Sequence, residues 1–123
     1  MAAQTLSVTD PKANDSAGIN LNSASYTGIV SGASNGVEYA WEGTIGVLLK
    51  NASGSPRAFV FTVPVPAGSG LTAIGSAPTS KTYSVADGVT QYVDNAEAFR
   101  DPSTGKVTIT VDGSGTSALA IAQ

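Results

Sequence analysis

The chain has 123 residues, enough for one domain that buries roughly 65% of its unfolded surface. It contains no cysteine and no histidine, which excludes disulfides, thiolate nucleophiles, Cys-ligated metals and the side chain that most hydrolytic sites use as a base near neutral pH. Only 12% of residues are charged, and six Lys and Arg stand singly against nine acids, so no basic stripe can neutralise a phosphate backbone and nucleic acid is not an expected partner.

From Met1 to about Asn35 the sequence is polar and small, broken by the apolar pairs Leu6/Val8 and Ile19/Leu21. It reads as an extended arm or as loosely paired edge strands, and Met1–Asp10 lacks the basic-then-apolar order of a secretory leader. No run approaches the ~18 apolar residues that span a bilayer, so no membrane partner is expected. The body is expected to begin at Asn35-Gly36, a dipeptide that favours positive φ, which divides the chain into an arm or edge strands over 1–34 and a body over 35–123.

In the body, Thr44 to Asn51 is an apolar run bounded by turn formers, with Ile45, Val47 and Leu49 at period two on one face. The turn Asn51-Ala52-Ser53-Gly54-Ser55-Pro56 leads into Arg57–Val63, which puts Phe59, Phe61 and Val63 on one face, and the two strands are expected to pair as a hairpin. Pro64 and Pro66 end pairing because proline lacks the ladder donor, and Ala67 to Pro78 reads as a long loop. Two short strands follow, around Tyr83/Val85 and over Val89–Val93, separated by Asp87-Gly88. Asp94 to Arg100 reads as a helical turn with Ala96 and Phe99 inward. Lys106–Asp112 alternates with Val107, Ile109 and Val111 facing in, and Ser117–Ala122 is a last strand. Many short strands with regular turn signals and little helix predict an all-β single domain: a β-sandwich or jelly-roll-like barrel with an extended N-terminal arm.

Motifs with chemical meaning are weak. Gly32-Ala33-Ser34-Asn35-Gly36 fits the nucleophile-elbow pattern, but its serine has no histidine to activate it. Gly68-Ser69-Gly70-Leu71-Thr72-Ala73 and Gly113-Ser114-Gly115-Thr116-Ser117-Ala118 fit a loosened dinucleotide pattern without the strand–turn–helix context that places phosphates. Asp87, Asp94, Glu97 and Asp101, with Glu38/Glu42, are acids at turns, lacking the spacing of a calcium loop and the cleft of a glycosidase. No cofactor and no metal are expected. Tyr39 and Trp41 have equal parity, either as core or interface aromatics or as a platform for sugar stacking.

The order of several elements has a further meaning. Asn35-Gly36 is followed by the strand ending Val47-Leu48-Leu49-Lys50-Asn51, the turn Ser53-Gly54-Ser55 and the strand Phe59-Val60-Phe61-Thr62-Val63. Next come Thr82-Tyr83-Ser84-Val85-Ala86-Asp87-Gly88-Val89 and Gly105-Lys106-Val107-Thr108-Ile109-Thr110-Val111, then a short apolar end. In this order the last two-thirds of the chain resembles the small head decoration, or capsid cement, proteins of tailed bacteriophages, while residues before Asn35 depart from that pattern.

The resemblance implies a catalytically inert structural virion protein on the outer surface of the capsid head, assembled in the host cytoplasm. It would bind the major capsid protein as a homotrimer and stabilise the mature lattice by binding only that state. Leu6, Val8, Ile19 and Leu21 would then be capsid-contacting anchors of a removable arm. The alternative is a carbohydrate- or receptor-binding β-sandwich module of a tail fibre or cell-surface protein, recognising its ligand through Tyr39 and Trp41.

Overall fold

The computed structural model describes residues 4–6, 8–9, 26–32, 35–64 and 80–122. Their strands are β1 (Gln4–Thr5), β2 (Val8–Thr9), β3 (Thr27–Gly28), β4 (Val37–Ala40), β5 (Thr44–Asn51), β6 (Arg57–Thr62), β7 (Ser80–Val85), β8 (Thr90–Asp94), β9 (Lys106–Val111) and β10 (Thr116–Ala122). A 3-10 turn at Glu97–Phe99 is the helical segment among them. The strands form two sheets packed face to face, the all-β sandwich that the strand pattern predicts. The first sheet runs β1-β4-β9-β6-β7 and the second β2-β10-β5-β8, with β3 also paired to β10.

The core lies between the layers, and its periodicity follows the sequence. Val37 and Tyr39 of β4, Phe59 and Phe61 of β6, and Val107, Ile109 and Val111 of β9 are buried at alternating positions, as a half-buried strand requires. Val47, Leu49, Val93, Ala118 and Ala120 meet them from the second sheet. Phe61 packs edge-on to Tyr83 at 5.3 Å and against Phe99 of the 3-10 turn at 4.8 Å, so the turn closes one end of the core. Ala96, expected inward beside Phe99, is exposed because it lies in extended backbone just before the turn.

The expected hairpin of β5 with β6 does not form. β5 pairs with β10 and β8 in the second sheet, whereas β6 pairs with β7 and β9 in the first. Residues 51–56 therefore cross between layers, and residues 86–89 make a second crossing from β7 to β8. Buried Asn51 holds both crossings: its Nδ2 donates to Ser55 O and Val85 O, each at 2.8 Å. Its Oδ1 accepts from Ser53 N–H, and its main-chain carbonyl accepts from Gly88 N–H at 2.8 Å. Alternation defines a strand's inward face but not its neighbour, so this pairing was beyond the pattern.

The described parts of residues 1–34 lie against the sheets. β1 runs parallel to β4 and β2 parallel to β10, so the chain steps from one layer to the other between Thr5 and Val8. Leu6 sits at the step, 3% exposed, in the main core, and its N–H donates to Glu38 O at 2.9 Å. Ile29, just after β3, is also buried in that core. These short strands close one side of the sandwich, at β4 in the first sheet and at β10 in the second.

Candidate functional site

The end of the sandwich that carries the β4–β5 connection combines a ladder irregularity with a cleft. The ladder between β10 and β5 shifts there: Ile121 pairs with Gly46 and Ala122 with Thr44, which leaves Ile45 without a partner. This bulge inserts one residue and reverses its side chain. Ile45, expected on one face with Val47 and Leu49, is 43% exposed while those two are buried. It borders an open cleft of about 420 Å³ lined by Trp41, Glu42, Gly43, Thr44, Ile45 and Asn95.

Asn95 makes this end rigid. Its Nδ2 donates to Trp41 O (3.1 Å), Thr44 O (3.0 Å) and Thr44 Oγ1 (2.7 Å). Its Oδ1 accepts from the Tyr39 hydroxyl at 2.6 Å, and its main-chain N–H donates to Ile45 O at 3.1 Å. Thr44 Oγ1 in turn donates to the carbonyls of Ala40 and Trp41, at 2.9 Å each. Gly43, at φ +81°, supplies the left-handed residue that the tight connection needs. The polar groups lining the cleft are thus largely occupied within the chain.

Tyr39 and Trp41 take different places. Tyr39 ends up inside, and burial, with a smaller effect of the nearby Tyr92, holds its phenol far above the ordinary range. Trp41 lies just past the end of β4, half-buried against the core, and its Nε1 donates to Ala96 O at 3.3 Å. The Arg100 guanidinium lies 5.8 Å from the Trp41 ring centroid, within cation–π range. Tyr92, on the outer face of the second sheet, folds across Gly46, and its hydroxyl donates to Ile45 O at 2.9 Å. Partial burial, then the Asp94 carboxylate beside it, raises the Tyr92 pKa.

The other sequence candidates scatter. Leu6 is a core residue, Val8 lies on β2 beside Ala120, and Ile19 and Leu21 fall outside the described residues. Glu38 pairs with Lys106 at 3.7 Å, while Glu42 is at the cleft, so the two acids have separate surroundings. Asp87 accepts Gly54 N–H and Asp101 accepts Ser103 N–H, as turn acids do. Among the described residues no group of three or more His, Cys, Asp or Glu could hold a metal ion, and no helix is long and apolar enough to cross a membrane. Ser34 of the elbow-like motif and the Gly68–Ala73 motif lie outside the described residues. The Gly113–Ala118 motif turns β9 into β10, opening a strand rather than a helix.

Sequence reasoning missed Asn95 and Ile45. Asn95 follows a strand, where asparagine is ordinary turn chemistry. Ile45 follows the same parity as Val47, and only Gly46, which lets Tyr92 and the Val93 carbonyl approach the backbone closely, hinted at irregularity. No protein-family model matches the chain, and neither a curated protein nor a solved structure matches it.

Proposed function

We propose that this protein is a non-enzymatic docking module that binds the outer surface of an assembled phage head and stabilises the mature lattice. The observation that carries the reading is the bulge at Ile45. It turns a β-branched apolar side chain outward beside Trp41, and the Asn95 network holds that connection in place. A pre-ordered apolar contact loses little entropy on binding. The resemblance of its sequence from Asn35 onward to head decoration proteins is what favours the lattice as the partner.

The magnitudes define what such a contact can do. Covering the exposed part of Ile45 contributes about 1 kcal/mol, whereas micromolar binding needs about 8 kcal/mol. Docking therefore has to recruit surrounding surface on the order of 800 Å² per partner. A ligand that binds only the expanded lattice stabilises it by mass action, without chemistry. The carbohydrate reading is weaker: sugar hydroxyls need free donors and acceptors, and those of Asn95, Thr44 and Trp41 already have partners.

The test is co-sedimentation of the purified protein with undecorated mature heads and with proheads of its cognate phage. Pelleting with mature heads in preference to proheads is expected. Absence of binding to mature heads, or saturable quenching of Trp41 fluorescence by a glycan instead, overturns the reading.

A further inference from the structure

The N-terminal strands close one side of the sandwich, and among the described residues no strand closes the other. Among the described residues β7 and β8 each have a strand neighbour on one flank only. The β7 flank carries Lys81, a charge of the kind that guards sheet edges. β8, Thr90-Gln91-Tyr92-Val93-Asp94, has no lysine, no proline and no bulge against β5.

The direction of its main-chain groups follows from its ladder. Asn51 N–H donates to Val89 O and Asn95 N–H to Ile45 O, and between them Leu49 pairs with Gln91 and Val47 with Val93. Gln91 and Val93 therefore turn their N–H and C=O groups to β5, and Thr90, Tyr92 and Asp94 turn theirs to the open flank. Asp94 O already accepts from Ala96 N–H at 3.0 Å. The Tyr92 side chain does not screen this flank, because it is folded back over Gly46 toward Ile45 O. Thr90 and Asp94 are exposed, and Tyr92 is 43% exposed.

We propose that β8 pairs antiparallel with β8 of a second copy of this chain, Tyr92 opposite Tyr92 on a twofold axis and Thr90 opposite Asp94. The second sheets of the two copies would then be continuous. The second copy is the occupant because the edge complements itself in this register, the one that pairs all the outward-directed residues. Each Thr90 hydroxyl faces an Asp94 carboxylate, a donor against an acceptor. The two Asp94 carboxylates fall four residues out of register, about 14 Å apart at ~3.4 Å per residue, beyond the ~8 Å screening length at physiological salt. The strand therefore does not repel its own copy. An isologous strand pair closes a twofold, not the threefold that the family resemblance implies.

Sedimentation equilibrium of the full chain, from about 10 μM to about 1 mM, covers the range in which one strand pair would associate. A monomer–dimer equilibrium is expected. Thr90→Asp sets like charges opposite each other at both ends of the pair and is expected to weaken the dimer about tenfold. Thr90→Lys faces Asp94 with a cation and should dimerise at least as tightly as the wild type. Circular dichroism and urea midpoints serve as controls that both variants fold. A monomer throughout the range, a trimer, or a dimer indifferent to both substitutions overturns the proposal. Because free protein is measured, this result is independent of whether the chain binds heads.

Discussion

Asn95 shows how one side chain can fix the geometry of a surface. It joins the carbonyls of Trp41 and Thr44 to the Tyr39 hydroxyl, and truncation leaves partly buried groups without partners. Asn95→Ala is therefore expected to lower stability by about 2–4 kcal/mol, measured by urea unfolding, and a loss below about 0.5 kcal/mol would contradict the network's role. Asn95→Asp keeps an acceptor for Tyr39 but loses the amide donors and points a charge at two carbonyls, so it too is expected to destabilise. Tyr39 adds a pH dependence. In the unfolded chain its phenol ionises from the ordinary value of 10.0, while the folded phenol, raised chiefly by burial, stays protonated. The unfolded state binds fewer protons in that window, so the contribution is complete below about pH 10 and is lost as pH rises above it. The urea midpoint of the wild type should fall between about pH 9 and about pH 11, and that of Tyr39→Phe should fall less. An equal fall in both would assign the alkaline loss to other groups.

At the scale of elements, Gly36, just before β4, tests how closely the strands approach. Gly36 has φ +108° and faces the Ile109 main chain, so any Cβ there would collide with the Ile109 carbonyl. Gly36→Ala is expected to cost about 2–4 kcal/mol through strain and displacement of β4 from β9. A thermal midpoint unchanged from the wild type would refute that packing. The Asn35-Gly36 dipeptide signalled the positive φ that Gly36 adopts, and the inward faces of β6 and β9 were legible because Phe59/Phe61 and Val107/Ile109/Val111 alternate without interruption. The sequence did not reveal which strands pair. The neighbour of β5 depends on Asn51 bonding across two crossings that are distant in sequence, and nothing local encodes that. The outward turn of Ile45 was hidden for a similar reason, since a bulge is a property of two strands together, and β10 enters the chain some seventy residues later.

At the scale of the molecule, the chain is a sandwich closed on one side by its own N-terminal strands, with Ile45 exposed at one end and, among the described residues, β8 paired on one flank only. The place of Leu6 bears on the idea of a removable arm. With Leu6 in the core and β1 and β2 in separate sheets, removing residues 1–9 takes out a buried leucine and two strand pairings. The truncated chain is expected to lose at least about 3 kcal/mol, so weakened head binding by such a variant would report on the fold as well as on contacts. An unchanged urea midpoint after truncation would show that these strands act only as an appendage. A solvent-facing substitution therefore tests the docking account more directly. The measurement is the affinity of wild type and Ile45→Asp for undecorated mature heads, with thermal midpoints recorded in parallel. At least a tenfold loss of affinity at an unchanged thermal midpoint is expected, and equal binding by the two proteins would rule out docking through Ile45.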